Sequence, residues 1–100
     1  MIKATFTKDN KRCHLIINGH ANYKERELTD KFDIVCGMVS VLAQSAIAGC
    51  KEFCKGVESI VDNGHIEIHY SRQNVSANII VETCFMGIEQ VKHKYPQCFK

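Results

Sequence analysis

A cysteine and a histidine in this sequence have the types and the surroundings that nucleophilic chemistry needs. Cys36 lies in the run DIVCG, residues 33–37, where a long apolar helix is predicted to begin. At a helix start, unpaired backbone N–H groups and the positive end of the helix dipole favour a thiolate. His20 follows glycine at the end of a strand-like stretch. Because an imidazole accepts a thiol proton near neutral pH, the pair predicts covalent catalysis by sulfur.

Three further residues are candidates to support Cys36. Asp33 is predicted to cap the helix N-terminus, which puts Cys36 at the third helical position, and its other candidate role is to orient His20. The backbone N–H of Gly37 is a candidate donor to the oxyanion of an acyl-transfer reaction. Ser40 lies one helical turn after Cys36, where it either donates a hydrogen bond to the sulfur or substrate or simply allows close packing.

Structural roles are the alternative for both central residues. Cys36 would then be one more apolar side chain beside Val35, and His20 would be a solvated loop residue. Spacing along a sequence does not prove contact. A strand end and the start of the next helix can nevertheless lie at the same edge of a sheet, and that arrangement would bring the sulfur and the imidazole together.

Hydrophobic periodicity predicts an α+β fold. Strands are predicted at residues 2–7, 13–17, 57–62 and 65–70, and helices at 33–54 and 74–95. Asn63-Gly64 is a strong hairpin-turn signal between the third and fourth strands. Pro96 ends the second helix and leaves residues 97–99 as an optional last strand. The order ββαββα(β) predicts two long helices packed on one face of a mainly antiparallel sheet, in one domain over residues 1–100.

Composition argues against several other classes of protein. A net charge of +2 is too small to predict a strong direct nucleic-acid site. No charge-free stretch of 18 apolar residues occurs, so no membrane span is predicted. Six cysteines lie mostly within apolar periodic segments, and the N-terminus reads as a strand and not as a signal peptide. We therefore expect a reduced, cytoplasmic protein and not a disulfide scaffold.

Metal binding is the competing use of cysteine and histidine, and the sequence predicts no metal and no other cofactor. Cys50 and Cys54 are four residues apart, unlike the CxxC pairs of structural zinc sites. His65 and His69 share a strand face with Glu67, but four residues of strand span about 13 Å. These three side chains are predicted to form the solvated face of the sheet.

Several motifs together resemble the ribosomal-processing cysteine protease family called Prp. GHA at residues 19–21, a polar loop, DIVC at 33–36, and then Ser40 and Leu42 follow one another in the family's order. The likeness extends over nearly the whole chain. Glycine follows the cysteine where the family often has alanine, a change that affects only local packing.

This resemblance implies a cysteine endopeptidase that removes the N-terminal extension of a large-subunit ribosomal protein. It implies that Cys36 is the nucleophile and His20 its base. It also implies a homodimer, and a mobile cover over the substrate formed by the loop at about Asn22–Phe32. The alternative is a non-enzymatic ribosome-associated binding module, whose basic termini contact RNA and in which Cys36 only packs.

Overall fold

The computed structural model describes the backbone of residues 1–19 and 30–100, and the side chains of residues 1–19 and 34–100. The elements are β1 (Lys3–Lys8), β2 (Arg12–Asn18), α1 (Asp30–Phe53), β3 (Glu58–Asp62), β4 (His65–Ser71), α2 (Val75–Lys94) and a 3₁₀ turn (Pro96–Cys98). The strands pair antiparallel in the order β1-β2-β4-β3. The predicted α+β fold class and the order ββαββα are confirmed.

Alternation along the central strands divides the sheet into a buried face and an open face. In β2 and β4 every second side chain is buried, with Leu15 opposite Ile68 in the register. These side chains join one apolar cluster with the buried residues of both helices, so the helices cover this face. Because successive strand residues point to opposite sides, His65, Glu67 and His69 lie on the open face, as predicted.

Small residues allow the two helices to pack closely. Ala43 and Ala46 of α1 are fully buried in the shared core. At Gly49, an added Cβ would lie only 3.1 Å from the side chain of Ile80 in α2, a distance that needs the neighbour to move. The small residues of α1 therefore let its backbone come close to α2.

One segment of α1, Ile34–Phe53, is long and apolar enough to cross a membrane by length and hydropathy. The sequence predicted no membrane span because it was judged by a stricter criterion, a stretch of 18 apolar residues without a charge, which it does not contain. In this fold Val35, Val39, Ile47 and Cys50 of the segment are buried in the apolar core. Its apolar stripe is therefore accounted for by packing against the sheet and α2.

The two ends of the chain meet beside the sheet. Ile2 forms a parallel bridge with Phe99, and its N–H donates to the carbonyl oxygen of Cys98 at 2.9 Å. The N–H of Lys100 donates back to the carbonyl of Ile2 at 2.8 Å. The optional last strand is thus a 3₁₀ turn followed by a single bridge, because Pro96 favours the first turn of a helix and lacks a backbone N–H.

Candidate active site

Cys36 lies farther into α1 than the sequence suggested. The helix begins at Asp30 and not at Asp33, so Cys36 is its seventh residue. The N–H groups without an intrahelical partner belong to the first four residues of a helix. The prediction of a first-turn cysteine is therefore wrong, and the effect of the helix dipole on Cys36 is weaker than expected, since it falls off beyond the first turn.

The same shift changes two of the supporting roles. Asp33 is the fourth helical residue and does not occupy the N-cap position. The N–H of Gly37 bonds the carbonyl of residue 33 within the helix, so it is not available as an oxyanion donor. An added Cβ at Gly37 would meet no atom within 4 Å, and Gly37 is exposed. The sequence missed the earlier helix start because Asp30 and Lys31 continue the charged stretch before the apolar stripe.

A cavity of about 300 Å³ brings the helix and the end of β2 together. Half-buried Cys36 and, one turn later, Ser40 line it from α1, and Gly19 lines it from the residue after β2. The sequence argument that a strand end and the helix can meet at one edge of the sheet is thereby confirmed for Gly19 and Cys36. His20, the next residue, lies outside the described residues, as does the loop up to residue 29.

Two contacts fix Gly19 at the cavity wall. Its N–H donates to the carbonyl of Gly64 at 2.9 Å, which ties the end of β2 to the hairpin turn between β3 and β4. Its φ of +94° lies in the region that favours glycine. An added Cβ would lie 2.0 Å from the carbonyl oxygen of Met1, so no other residue fits here without moving the backbone.

Ser40 is held by a neighbour that the sequence analysis did not single out. The Nε2 of Gln44 donates to the Oγ of Ser40 at 3.0 Å, and both residues line the cavity. Their spacing of four residues on one helix face was the available sequence signal. Ser40 therefore lines the cavity while its hydroxyl oxygen accepts a hydrogen bond from Gln44.

The remaining walls combine an apolar floor with a polar turn. Ile2, Ile17, Val39 and Ile66 supply apolar surface. The hairpin supplies residues 61–65, which were predicted only as two strand ends and the turn between them. An open cavity with an apolar floor, a thiol and exposed turn backbone can accept an extended peptide beside the sulfur.

The other cysteines differ from Cys36 in their surroundings. All six cysteines lie in the described part of the chain, and none is in a disulfide. Burial raises the pKa of Cys50 to about 11, with smaller contributions from Cys54 and Cys84, and burial also raises the pKa of Cys84. A raised pKa suppresses the reactive thiolate, so these two thiols are poor nucleophiles.

The open face of the sheet carries a polar network and no metal cluster. Across residues 1–19 and 34–100, no group of three or more His, Cys, Asp or Glu side chains is arranged to hold a metal ion. Glu67 accepts hydrogen bonds from His65 at 2.5 Å and His69 at 2.7 Å. Those two bonds hold the pKa of Glu67 below its usual range, His65 contributing more.

Comparison with known proteins agrees with this fold. The model of the family described as cysteine protease Prp matches residues 1–100. Among curated proteins none matches significantly. The structure of the ribosomal processing protease Prp of S. aureus with a covalently linked product peptide superposes with a TM-score of 0.79 at 22% identity, covering 100% of this chain and 96% of the other.

Two more solved structures share the fold. S. aureus Prp with a substrate peptide has a TM-score of 0.80 at 20% identity, over 100% of this chain and 96% of the other. A Streptococcus mutans protein has a TM-score of 0.74 at 21% identity, over 100% and 94%. Because the family model spans the whole sequence, this chain belongs to the cysteine protease Prp family.

Proposed function

We propose that this protease removes the N-terminal extension of a large-subunit ribosomal protein, with Cys36 as the nucleophile and His20 as the base. One observation carries the assignment of the site. Cys36 and Gly19 line the same cavity, and His20 directly follows Gly19 in the chain. The S. aureus relatives, which contain a substrate peptide or a covalently linked product peptide, support both the substrate class and a covalent route.

The chemistry is acyl transfer to sulfur. His20 takes the proton of Cys36, and the Sγ attacks the carbonyl carbon of the scissile peptide bond. The C–N bond then breaks, His20 returns the proton to the leaving amine, and a thioester joins the extension to Cys36. Water, deprotonated by His20, then attacks the thioester carbonyl. The C–S bond breaks, His20 returns the proton to the sulfur of Cys36, and the extension leaves as a carboxylic acid.

Ser40 and Asp33 retain supporting roles in this proposal. Ser40 lines the cavity and its Oγ accepts a hydrogen bond from Gln44, and we propose that its own hydroxyl proton is donated to the sulfur or to the peptide. Asp33 precedes Cys36 by three residues, which puts both on adjacent positions of one helix face. That placement supports a role for its carboxylate in orienting His20.

The polar segment between His20 and α1 is proposed as the cover of the cavity. Its composition, with five charged residues between residues 24 and 30, suits a segment that opens to admit a peptide and closes over it. Its final part, residues 30–32, is the first turn of α1 and not loop as predicted. The rest lies outside the described residues.

Assembly and location complete the proposal. We propose a homodimer, as the family resemblance implies, and light scattering of the purified chain tests it. We propose a cytoplasmic location because the ribosomal substrate is made there and because the six cysteines are not in disulfides. A membrane partner and a strong nucleic-acid site are not expected. Family membership favours the enzyme over the non-enzymatic binding module.

The direct test is cleavage of the extended ribosomal protein by the purified chain. Mass spectrometry is expected to show two products whose masses sum to that of the substrate plus one water. Cys36→Ala is expected to abolish both products, and Cys54→Ala, a change at another partly exposed thiol, is expected to leave them. Cleavage by Cys36→Ala at the wild-type rate would refute the assignment.

A further inference from the structure

A chain of polar contacts crosses the open face of the sheet and ends at the active-site cavity. Its centre is Glu67, which is 24% exposed and bonds the Nε2 atoms of His65 and His69 through different carboxylate oxygens. The three residues alternate along β4, so they share one face of the strand. One carboxylate therefore fixes two imidazole rings.

The contacts continue from β4 into the neighbouring strand. On one side, the Nδ1 of His69 lies 2.8 Å from the Nδ1 of His14, whose Nε2 lies 3.0 Å from a carboxylate oxygen of Asp9. On the other side, the Nδ1 of His65 contacts the Oδ1 of Asn18. Both nitrogens of His65 are thus engaged, so its ring is held in one orientation.

Asn18 is the last residue of β2, and its position bears on the catalytic base. It pairs with His65 in the register of the sheet as well as through its side chain. The next residue, Gly19, bonds Gly64 and lines the cavity with Cys36. The chain then continues to His20. The side chain of Asn18, which contacts His65, is therefore the last one that anchors β2 before His20.

We propose that His65 and Asn18 are positioning residues for the protease reaction, and that their contact fixes the strand end from which His20 leaves. This inference rests on the proposed function, because it matters only if His20 is the base. Neither residue needs to touch the reacting atoms. Glu67 serves the same role one step farther away, by setting the orientation of the His65 ring.

Geometry gives the expected size of the effect. A base must come within about 2.6–3.2 Å of the heavy atom whose proton it takes. A displacement of about 1 Å in a catalytic group can cost about 100-fold in rate. Loss of the Asn18 side chain loosens the strand end but removes no cavity-lining group, since Asn18 does not line the cavity. The turnover number should therefore fall with little change in KM.

The first part of the test compares four variants with the wild type. Asn18→Ala and His65→Ala are each expected to lower kcat about 10-fold or more. KM in Asn18→Ala should change less than about 3-fold, because the contacts that bind the substrate and the transition state equally well are unchanged. Asn18→Asp keeps an oxygen acceptor for His65 and should restore most of the activity. His93→Ala removes an exposed histidine of α2 and is the matched control, with wild-type activity expected.

A second readout separates positioning from general loss of structure. In Asn18→Ala and His65→Ala, iodoacetamide at pH 7.5 should alkylate Cys36 more slowly than in the wild type, because a displaced His20 takes the thiol proton less readily. The thermal midpoint of Asn18→Ala should stay close to wild type, because Asn18 is exposed at the strand end. His65 lines the cavity, so Asn18 and not His65 is the decisive variant.

A double-mutant cycle tests whether the two residues act through their contact. The Asn18→Ala/His65→Ala double variant should be no slower than the slower single variant, because each change breaks the same link. If the fold-decrease in rate of the double variant equals the product of the fold-decreases of the two single variants, the proposal is overturned. A wild-type kcat together with a wild-type rate of Cys36 alkylation in Asn18→Ala would also overturn it. If that occurs while Cys36→Ala is inactive, the proposed function stands and only the positioning role fails.

Discussion

Gly19 and Cys36 line the same cavity although 17 positions separate them in the chain. The first is fixed by backbone contacts to Gly64 and by its closeness to Met1, and the second by α1. This relationship places the start of the segment that carries His20 beside the thiol. It is the structural basis for assigning a cysteine–histidine pair to this member of the Prp family.

Replacement of the proposed base should separate chemistry from folding. His20→Ala is expected to lower the rate of cleavage by about 10²–10⁴-fold, the usual contribution of a positioned general base. The thermal midpoint should change little, because the described core forms without that side chain. Initial rates with the extended ribosomal protein, alongside a thermal melt, test both parts. A His20→Ala enzyme within a few-fold of wild type would assign the base to another residue.

Alkylation should distinguish Cys36 from the other five thiols. At pH 7.5, iodoacetamide is expected to label Cys36 first because it lines the same cavity as Gly19, the residue that precedes the proposed base in the chain. Cys50 should be among the slowest, since it is 1% exposed and its pKa is raised to about 11. Peptide mass spectrometry at successive times gives the order. Cys36→Ser should remove the fast phase, and uniformly slow labelling of the wild type would contradict the account.

Two glycines near the site should respond oppositely to alanine. Gly19→Ala puts a Cβ 2.0 Å from the Met1 carbonyl oxygen at a positive φ, and is expected to destabilise the fold by at least about 1–3 kcal/mol. Gly37→Ala meets no atom within 4 Å in a helix, and is expected to stabilise it by about 0.5–1 kcal/mol. Denaturant titration of both variants measures this. Similar destabilisation by both would show that the Gly19 contact is not decisive.

The network on the open face predicts acid sensitivity. Hydrogen bonds from His65 and then His69 hold the pKa of Glu67 below its ordinary 4.5, and the bond from His14 lowers that of Asp9 below 3.8. A carboxyl whose folded pKa is depressed stabilises the fold above its unfolded pKa, and this stabilisation is lost as the pH falls through the folded value. We therefore expect the free energy of unfolding to drop below about pH 4.5.

Substitution of the central carboxylate tests the source of this effect. Glu67→Gln should be less stable than wild type at pH 6 and should lose less stability between pH 6 and pH 3, because the titrating group is gone. Glu89→Gln, at an exposed position of α2, is the control and should follow the wild type. Parallel curves for wild type and Glu67→Gln in urea titrations would show that Glu67 does not contribute to the acid transition.

Local sequence signals were sufficient for most elements of the fold. The alternation of Ile66, Ile68 and Tyr70 correctly predicted one buried face of β4, and Asn63-Gly64 correctly predicted the hairpin turn. The start of α1 was missed because Asp33 is a common capping residue and the apolar stripe begins only after it. Charged residues in a first helical turn carry no periodic signal, so such a boundary is hard to place from sequence.

The site depends on contacts that local signals do not contain. The wall of the cavity at residues 61–65 comes from a hairpin 25 or more positions after Cys36. The contact between His14 and His69 exists because β2 pairs with β4 in a register that sets these residues opposite each other. This contact forms only because two strands that are far apart in the sequence are neighbours in the sheet. The proximity of residues 18 and 65 arises in the same way.

Mass spectrometry of the intact enzyme, quenched in acid during turnover of the extended ribosomal protein, tests the central claim most directly. The account predicts a transient species heavier than the enzyme by the mass of the extension less one water, with the adduct on the peptide that contains Cys36. In Cys36→Ala this species should be absent. Cleavage that proceeds with the acyl group on another cysteine, or with Cys36 replaced, would contradict the assignment of Cys36 as the nucleophile.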